Sequence, residues 1–132
     1  MSLVKDLSKY HDTGLLILRL VVAGIFLNHG LLKLGIWSAA SDTMSPGMVF
    51  IMKLLSIAEP LAALGLILGF LTQAAALGII AVMVSAVYSK LTNGSPLLKN
   101  ELEILLLAAS IMLLVEGPGC HSLDCVWGRK KA

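Results

Sequence analysis

The chain has 132 residues, a formal net charge of +2, an apolar fraction of 58% and a charged fraction of only 14%. Soluble domains carry roughly 45–50% apolar and about 25% charged residues, so this chain cannot cover a globule with polar surface and needs lipid as the solvent for most of its length. The small, scattered basic excess excludes a nucleic-acid face, and two cysteines, Cys120 and Cys125, are too few for a disulfide framework.

Residues 1–13 interleave Lys5, Asp6, Lys9 and Asp12 with Leu3, Val4, Leu7 and Tyr10, which suits a short amphipathic segment at the membrane surface. The first apolar run, residues 15–35, is long enough for a helix to cross the ~30 Å hydrocarbon core, and it is interrupted by Arg19, Asn28, His29 and Lys33. It exceeds the apolar core of a signal peptide and is read as a retained span, although Ser38-Ala39-Ala40 resembles a cleavage site. Trp37, at the start of the following loop, suits the headgroup level.

A second span, residues 47–71, carries Glu59 and Pro60 near its middle. An ionised acid at a helix centre costs about 2.5–3.5 kcal/mol on insertion scales, so Glu59 requires a proton, a partner or a protein-lined interior, and other spans must screen it from lipid. The connection Leu71-Thr72-Gln73 is so short that a third span, residues 72–91, turns straight back as an antiparallel neighbour. Asn93-Gly94-Ser95-Pro96 reads as a turn. A fourth and shortest span, residues 100–116, ends at Gly117-Pro118-Gly119, and residues 117–132 form a short polar tail with Trp127 before the basic cluster Arg129, Lys130 and Lys131. The expected fold is a single all-α domain: an integral membrane four-helix bundle, antiparallel, up-down-up-down. Lys5, Lys9, Arg129, Lys130 and Lys131 on one side outweigh Lys90 and Lys99 on the other, which predicts that both termini are cytoplasmic.

At a rise of 1.5 Å per residue, His29 and Lys53 fall roughly 8–9 Å below the outer boundary, Lys33, Tyr88, Glu101 and Glu103 nearer that rim, and Glu59 close to the midplane. On a helical wheel Arg19, Phe26, His29 and Lys33 share one face and Asn28 points well away from Arg19; in the third span Gly78, Ala81, Ser85 and Tyr88 form a stripe of small residues ending in a phenol. Small side chains let membrane helices approach closely, so this stripe is expected to face the bundle, as are Ser56, Ala62 and Ala63 around Glu59. The outcome is an expected polar pocket open to the outer side, with Glu59 as floor and His29, Asn28, Lys53, Tyr88 and Glu103 as further ligand-binding or proton-relay candidates. A purely structural account competes: Lys33, Lys90, Lys99 and Glu101 snorkel to an interface, Tyr88 belongs to an aromatic belt, and His29 is a hydrogen-bonded structural side chain. No metal site is expected. Cys120 and Cys125 admit an incidental role, a redox-active thiol pair or metal ligation, and their spacing does not decide among these.

Arg19-Leu20 with Gly24, Phe26, His29-Gly30 and Lys33-Leu34, Glu59 with Leu64-Gly65-Leu66-Ile67-Leu68-Gly69-Phe70-Leu71-Thr72, Asn100, and Gly117-Pro118-Gly119 followed by Ser122-Leu123-Asp124 together resemble the DoxX family of small bacterial membrane proteins. The resemblance covers nearly the whole chain and implies a four-helix protein of the bacterial cytoplasmic (inner) membrane. The family is named for a small subunit of a thiosulfate:quinone oxidoreductase, and its members are often described as oxidoreductases or redox-complex partners. The chain departs from the family pattern at Ala62-Ala63, where a Gly-Gly pair is common, and at Gln73, where a basic residue is common; Cys120 and Cys125 are not part of that pattern.

The leading expectation is a redox-associated subunit that binds a quinone-like or other small amphipathic molecule beside Glu59 and His29. No flavin, haem or iron–sulfur signature occurs, so electrons would come from a partner subunit. The alternative is a membrane anchor or assembly module without catalysis of its own. A small transporter would need a homo-oligomer to supply enough spans.

Overall fold

A computed structural model describes residues 2–37 and 45–131. A short helix α1 (Ser2–Ser8) precedes α2 (His11–Lys33), which a 3₁₀ turn at Leu34–Trp37 prolongs. Helix α3 (Pro46–Leu68) starts with Ser45 in extended conformation, its hydroxyl accepting the Met48 N–H at 3.3 Å. Pro46 stands in the first turn, where a missing N–H leaves no intrahelical bond unmade. The helix ends three residues short of the predicted boundary. Gly69, at φ +69°, closes a Schellman turn in which Phe70 N–H reaches the Gly65 carbonyl at 2.8 Å and Gly69 N–H that of Leu66 at 3.2 Å. Only Gly69, Phe70 and Leu71 separate α3 from α4 (Thr72–Thr92), a connection as short as the sequence predicts. A 3₁₀ turn at Leu97–Asn100 leads into α5 (Glu101–Glu116), and α6 (Leu123–Lys131) makes a helix of the tail that was read only as polar.

Among the described residues the structure contains no strand, and α2, α3 and α4, of 23, 23 and 21 residues, are long and apolar enough to cross a membrane. Helix α5 has 16 residues, about 24 Å of helix, which falls short of that length. Helix α2 lies along α3 and α4 along α5, with smaller contacts between α3 and α4 and between α2 and α5.

The distribution of side chains is that of a protein solvated by lipid. The core consists of Leu15, Val22, Ala23, Phe26, Ala63, Leu66, Ala76, Ile79, Met83, Leu106 and Leu113. Large apolar side chains such as Leu20, Val21, Phe50, Leu54, Leu61, Leu105 and Val115 point outward, while Arg19, Ser56, Glu59, Thr72, Asn100 and Ser110 are buried. A soluble monomer rarely exposes an apolar patch beyond a few hundred Å², so this inversion requires a hydrocarbon surround.

Gly30 marks the close crossing of α2 and α3. A Cβ there would lie 2.6 Å from Pro60 Cδ and 3.2 Å from Glu59 Cβ. Two sequence expectations are corrected by this packing. Glu59 lies against Gly30, next to His29 in sequence, rather than well below it, because the absent side chain at Gly30 lets α3 pack closely at that level. Of the stripe, Ala81, Ser85 and Tyr88 face outward, with Tyr88 70% exposed, while Gly78 borders the cavity next to Glu59, and Thr72, Ala76, Ile79 and Met83 face in. Lipid is as apolar as a protein interior, so hydropathy does not distinguish the faces, and here the bulkier side chains were needed to fill the core.

Candidate functional site

Two polar centres stand at different levels of the molecule. The first is Glu59, on the buried face of α3 and only 2% exposed. Lys33, at the C-terminal end of α2, donates from Nζ to Glu59 Oε1 at 2.5 Å. This bond follows from helix geometry: a side chain on α2 leans toward its helix N-terminus, so Lys33 reaches back by about a turn to the level where Gly30 admits α3. The expectation that Lys33 snorkels outward is therefore replaced by an ion pair. Glu59 Oε2 has no hydrogen-bond partner among the described residues. Glu59 also borders a cavity of about 110 Å³, lined by Phe26, Ala58, Glu59, Ala62, Gly78 and Val82, whose surface is apolar.

The other sequence candidates sit elsewhere. Lys53 Nζ lies 5.1 Å from the Trp37 ring centre, and Trp37 Nε1 donates to Ser56 Oγ at 2.8 Å, which joins the 3₁₀ turn to α3 above Glu59. His29 Nδ1 is 2.9 Å from the Ile25 carbonyl, the bond expected of a structural histidine. Glu103 is paired with Lys90 across α4 and α5, so Lys90 too is tied into an ion pair. Asn28 and Tyr88 are exposed. Of the six candidates, only Glu59 lines the cavity.

The second centre lies at the opposite end of α2 and was not assembled by sequence reasoning. Asp124, in the first turn of α6, accepts Leu71 N–H on Oδ1 and Thr72 N–H on Oδ2, both at 2.9 Å, and its own N–H donates to the Gly69 carbonyl at 2.9 Å. It thus caps α4 from 52 residues away. Arg19, fully buried on α2, donates from Nη2 to the His121 carbonyl at 2.5 Å and lies in the field of Asp124. Its Nε and Nη1 have no hydrogen-bond partner among the described residues. A Cβ on Gly69 would come within 2.1 Å of Arg19 Nη1, so the turn, the guanidinium and the tail interlock. Asp12 Oδ1 accepts the Cys120 N–H at 3.1 Å, and His11 Nε2 is 3.2 Å from Glu116 Oε2.

Cys120 is exposed and Cys125 half-buried. Hydrogen bonding to Cys125, and next to Asp12, raises the Cys120 thiol pKa above its ordinary value. Among the described residues no group of three His, Cys, Asp or Glu side chains could hold a metal ion. Motif resemblance had singled out Ser122-Leu123-Asp124 and Arg19, but nothing in their spacing shows that they meet at Gly69.

Helices of spanning length, an apolar exterior and buried charges define a polytopic α-helical membrane protein. The DoxX family model matches residues 14–91, more than half of the chain, and the protein belongs to the DoxX family. A comparison with curated proteins found no match, and one with solved structures found none either.

Proposed function

We propose that this DoxX-family protein is a redox-associated subunit that binds the ring of a quinone-like or other small amphipathic molecule beside Glu59. The observation that carries this reading is that Glu59, whose second carboxylate oxygen is buried and without a partner among the described residues, is also one of the residues lining an apolar cavity of about 110 Å³. An engineered apolar cavity of ~150 Å³ takes up benzene, so this space is of the order of one six-membered ring and too small for a fused ring system. Lys33 holds Glu59 Oε1, leaving Oε2 to receive a hydroxyl from a reduced ring or, when protonated, to donate to a ring carbonyl. The apolar walls favour a ring over a charged solute.

In this reading α5, together with α2, α3 and α4, completes a four-helix antiparallel bundle in the bacterial inner membrane. The contacts of Asp12 with Cys120 and of Asp124 with the α3–α4 turn support it, because they join alternate helix ends. Both termini are cytoplasmic: Lys33 and Lys90 are neutralised by Glu59 and Glu103, which leaves Lys5 and Lys9 with the C-terminal basic cluster to set the bias. Electrons come from a partner subunit.

Binding of a short-chain benzoquinone to the detergent-solubilised protein, measured by equilibrium dialysis, tests the proposal. Gly78→Leu should abolish it, since a Cβ at Gly78 meets nothing within 4 Å and the longer side chain can swing into the cavity without displacing the core. Glu59→Gln should weaken it about tenfold, the equivalent of one hydrogen bond to a charged group. Unchanged binding in both variants would leave the anchor reading in its place.

A further inference from the structure

We propose that α3 and the 3₁₀ turn after α2 form a binding site for one anionic phospholipid at the end of the molecule away from the α3–α4 turn, with Lys53 holding the phosphate and an apolar groove the acyl chain. The site is separate from the cavity at Glu59. Phe50, Lys53, Leu54 and Ile57 recur at the i, i+3, i+4, i+7 spacing of a single helix face. With Trp37 they line an open groove of about 190 Å³ whose surface is apolar. Two turns of helix make it about 10 Å long. Trp37 is fixed there by its Nε1–H, which donates to Ser56 Oγ at 2.8 Å, and Ser56 Oγ in turn donates to the Lys53 carbonyl at 2.7 Å. The indole is therefore a held wall of the groove. Lys53 Nζ lies 5.1 Å from the centre of that ring. A side chain on α3 leans toward the helix N-terminus, so the ammonium is carried toward the rim while the stem of Lys53 lines the groove.

Charge decides what occupies this groove. Lys33 and Lys90 each face a carboxylate, Glu59 and Glu103, whereas Lys53 has the face of Trp37 and pairs with no carboxylate among the described residues. An ammonium carries three donors, and a ring face does not use them all. At a membrane interface the acceptor close at hand is a lipid phosphate, and the groove alongside takes the chain attached to it. A zwitterionic lipid brings its own cation to that phosphate; phosphatidylglycerol brings none, so the site prefers the anionic lipid. A small soluble anion would leave the groove unfilled, and a neutral apolar solute would leave the ammonium without a counter-charge.

Trp37 and Trp127 are the two tryptophans of the chain, so Trp127→Phe leaves Trp37 as the sole indole fluorophore, at the groove wall. The full chain with this substitution is reconstituted in phosphatidylcholine vesicles containing a rising share of phosphatidylglycerol, one lipid or the other carrying brominated acyl chains as a contact quencher. Brominated phosphatidylglycerol should quench Trp37 at about one-fifth of the mole fraction that brominated phosphatidylcholine needs, the preference one lysine gives an anionic lipid. Adding Lys53→Gln should bring the two lipids level, Lys53→Arg should keep the preference, and Lys99→Gln should leave it unchanged. Quenching by brominated phosphatidylcholine reports in each variant that Trp37 is still seated in the bilayer. Equal quenching by the two lipids with Lys53 intact, or a loss of preference on Lys99→Gln as large as on Lys53→Gln, would overturn the proposal.

Discussion

Glu59 and Asp124 are both carboxylates at helix contacts. Glu59 has one ammonium partner, and its second oxygen has none among the described residues, whereas both oxygens of Asp124 are taken by backbone N–H groups of α4. The difference follows from what surrounds each. Near Asp124 three chain ends meet, and unpaired N–H groups at a helix start demand an acceptor. Glu59 stands inside α3, where backbone donors are used within the helix, so a side-chain acceptor there finds few N–H groups to bind. A satisfied carboxylate holds a fold together; a half-satisfied one keeps an acceptor unused.

Substitutions at the Asp124 end should therefore cost the most stability. Gly69→Ala puts a Cβ at φ +69° and against Arg19 and the Ser122 backbone, and strain plus overpacking should sum to about 3 kcal/mol, read as a large fall in thermal midpoint in detergent. Asp124→Ala removes two charge-assisted bonds to the start of α4 and should cost about 2–3 kcal/mol by the same measurement. A loss below 0.5 kcal/mol in both would break the contrast.

At the other centre, Lys33→Met should cost about 2 kcal/mol, less than a fully buried pair because the Lys33 side chain is 30% exposed. Adding Glu59→Gln should recover most of that loss, since it removes the carboxylate left alone; a double mutant worse than Lys33→Met would show that the carboxylate is stabilised by something other than the lysine. The smallest effect concerns pH. The Cys120 pKa is raised, so the fold favours the protonated thiol, and that contribution is present below the ordinary thiol pKa and lost as pH rises through the raised value. Alkylation of Cys120 should accelerate at higher pH in the wild type than in Cys125→Ala, and identical profiles would show that Cys125 does not raise the Cys120 pKa.

Much of the helix order was legible because a run of apolar residues long enough to cross lipid has few other uses, and because Gly69 and the short connection after it permit only a reversal. Glu59 stood out for the same reason: no side chain at that position can reach water. The partner of Glu59 was not legible. Lys33 was one of several basic residues near a rim, and only the approach of α2 and α3 at Gly30 selects it. Small-residue spacing places Ala81, Ser85 and Tyr88 inward with Gly78, and the structure turns those three outward, because a membrane removes the contrast between polar outside and apolar inside on which face assignment depends.

The amino-acid sequence by itself determined that this is a helical membrane protein with a buried acid, since both follow from local composition and from the cost of charge and backbone in hydrocarbon. Tertiary structure alone decided that Lys33 meets Glu59 and that Asp124 caps α4 next to the turn on which Arg19 packs. These pairings join residues 26 and 52 positions apart, and no local periodicity encodes which helix faces which.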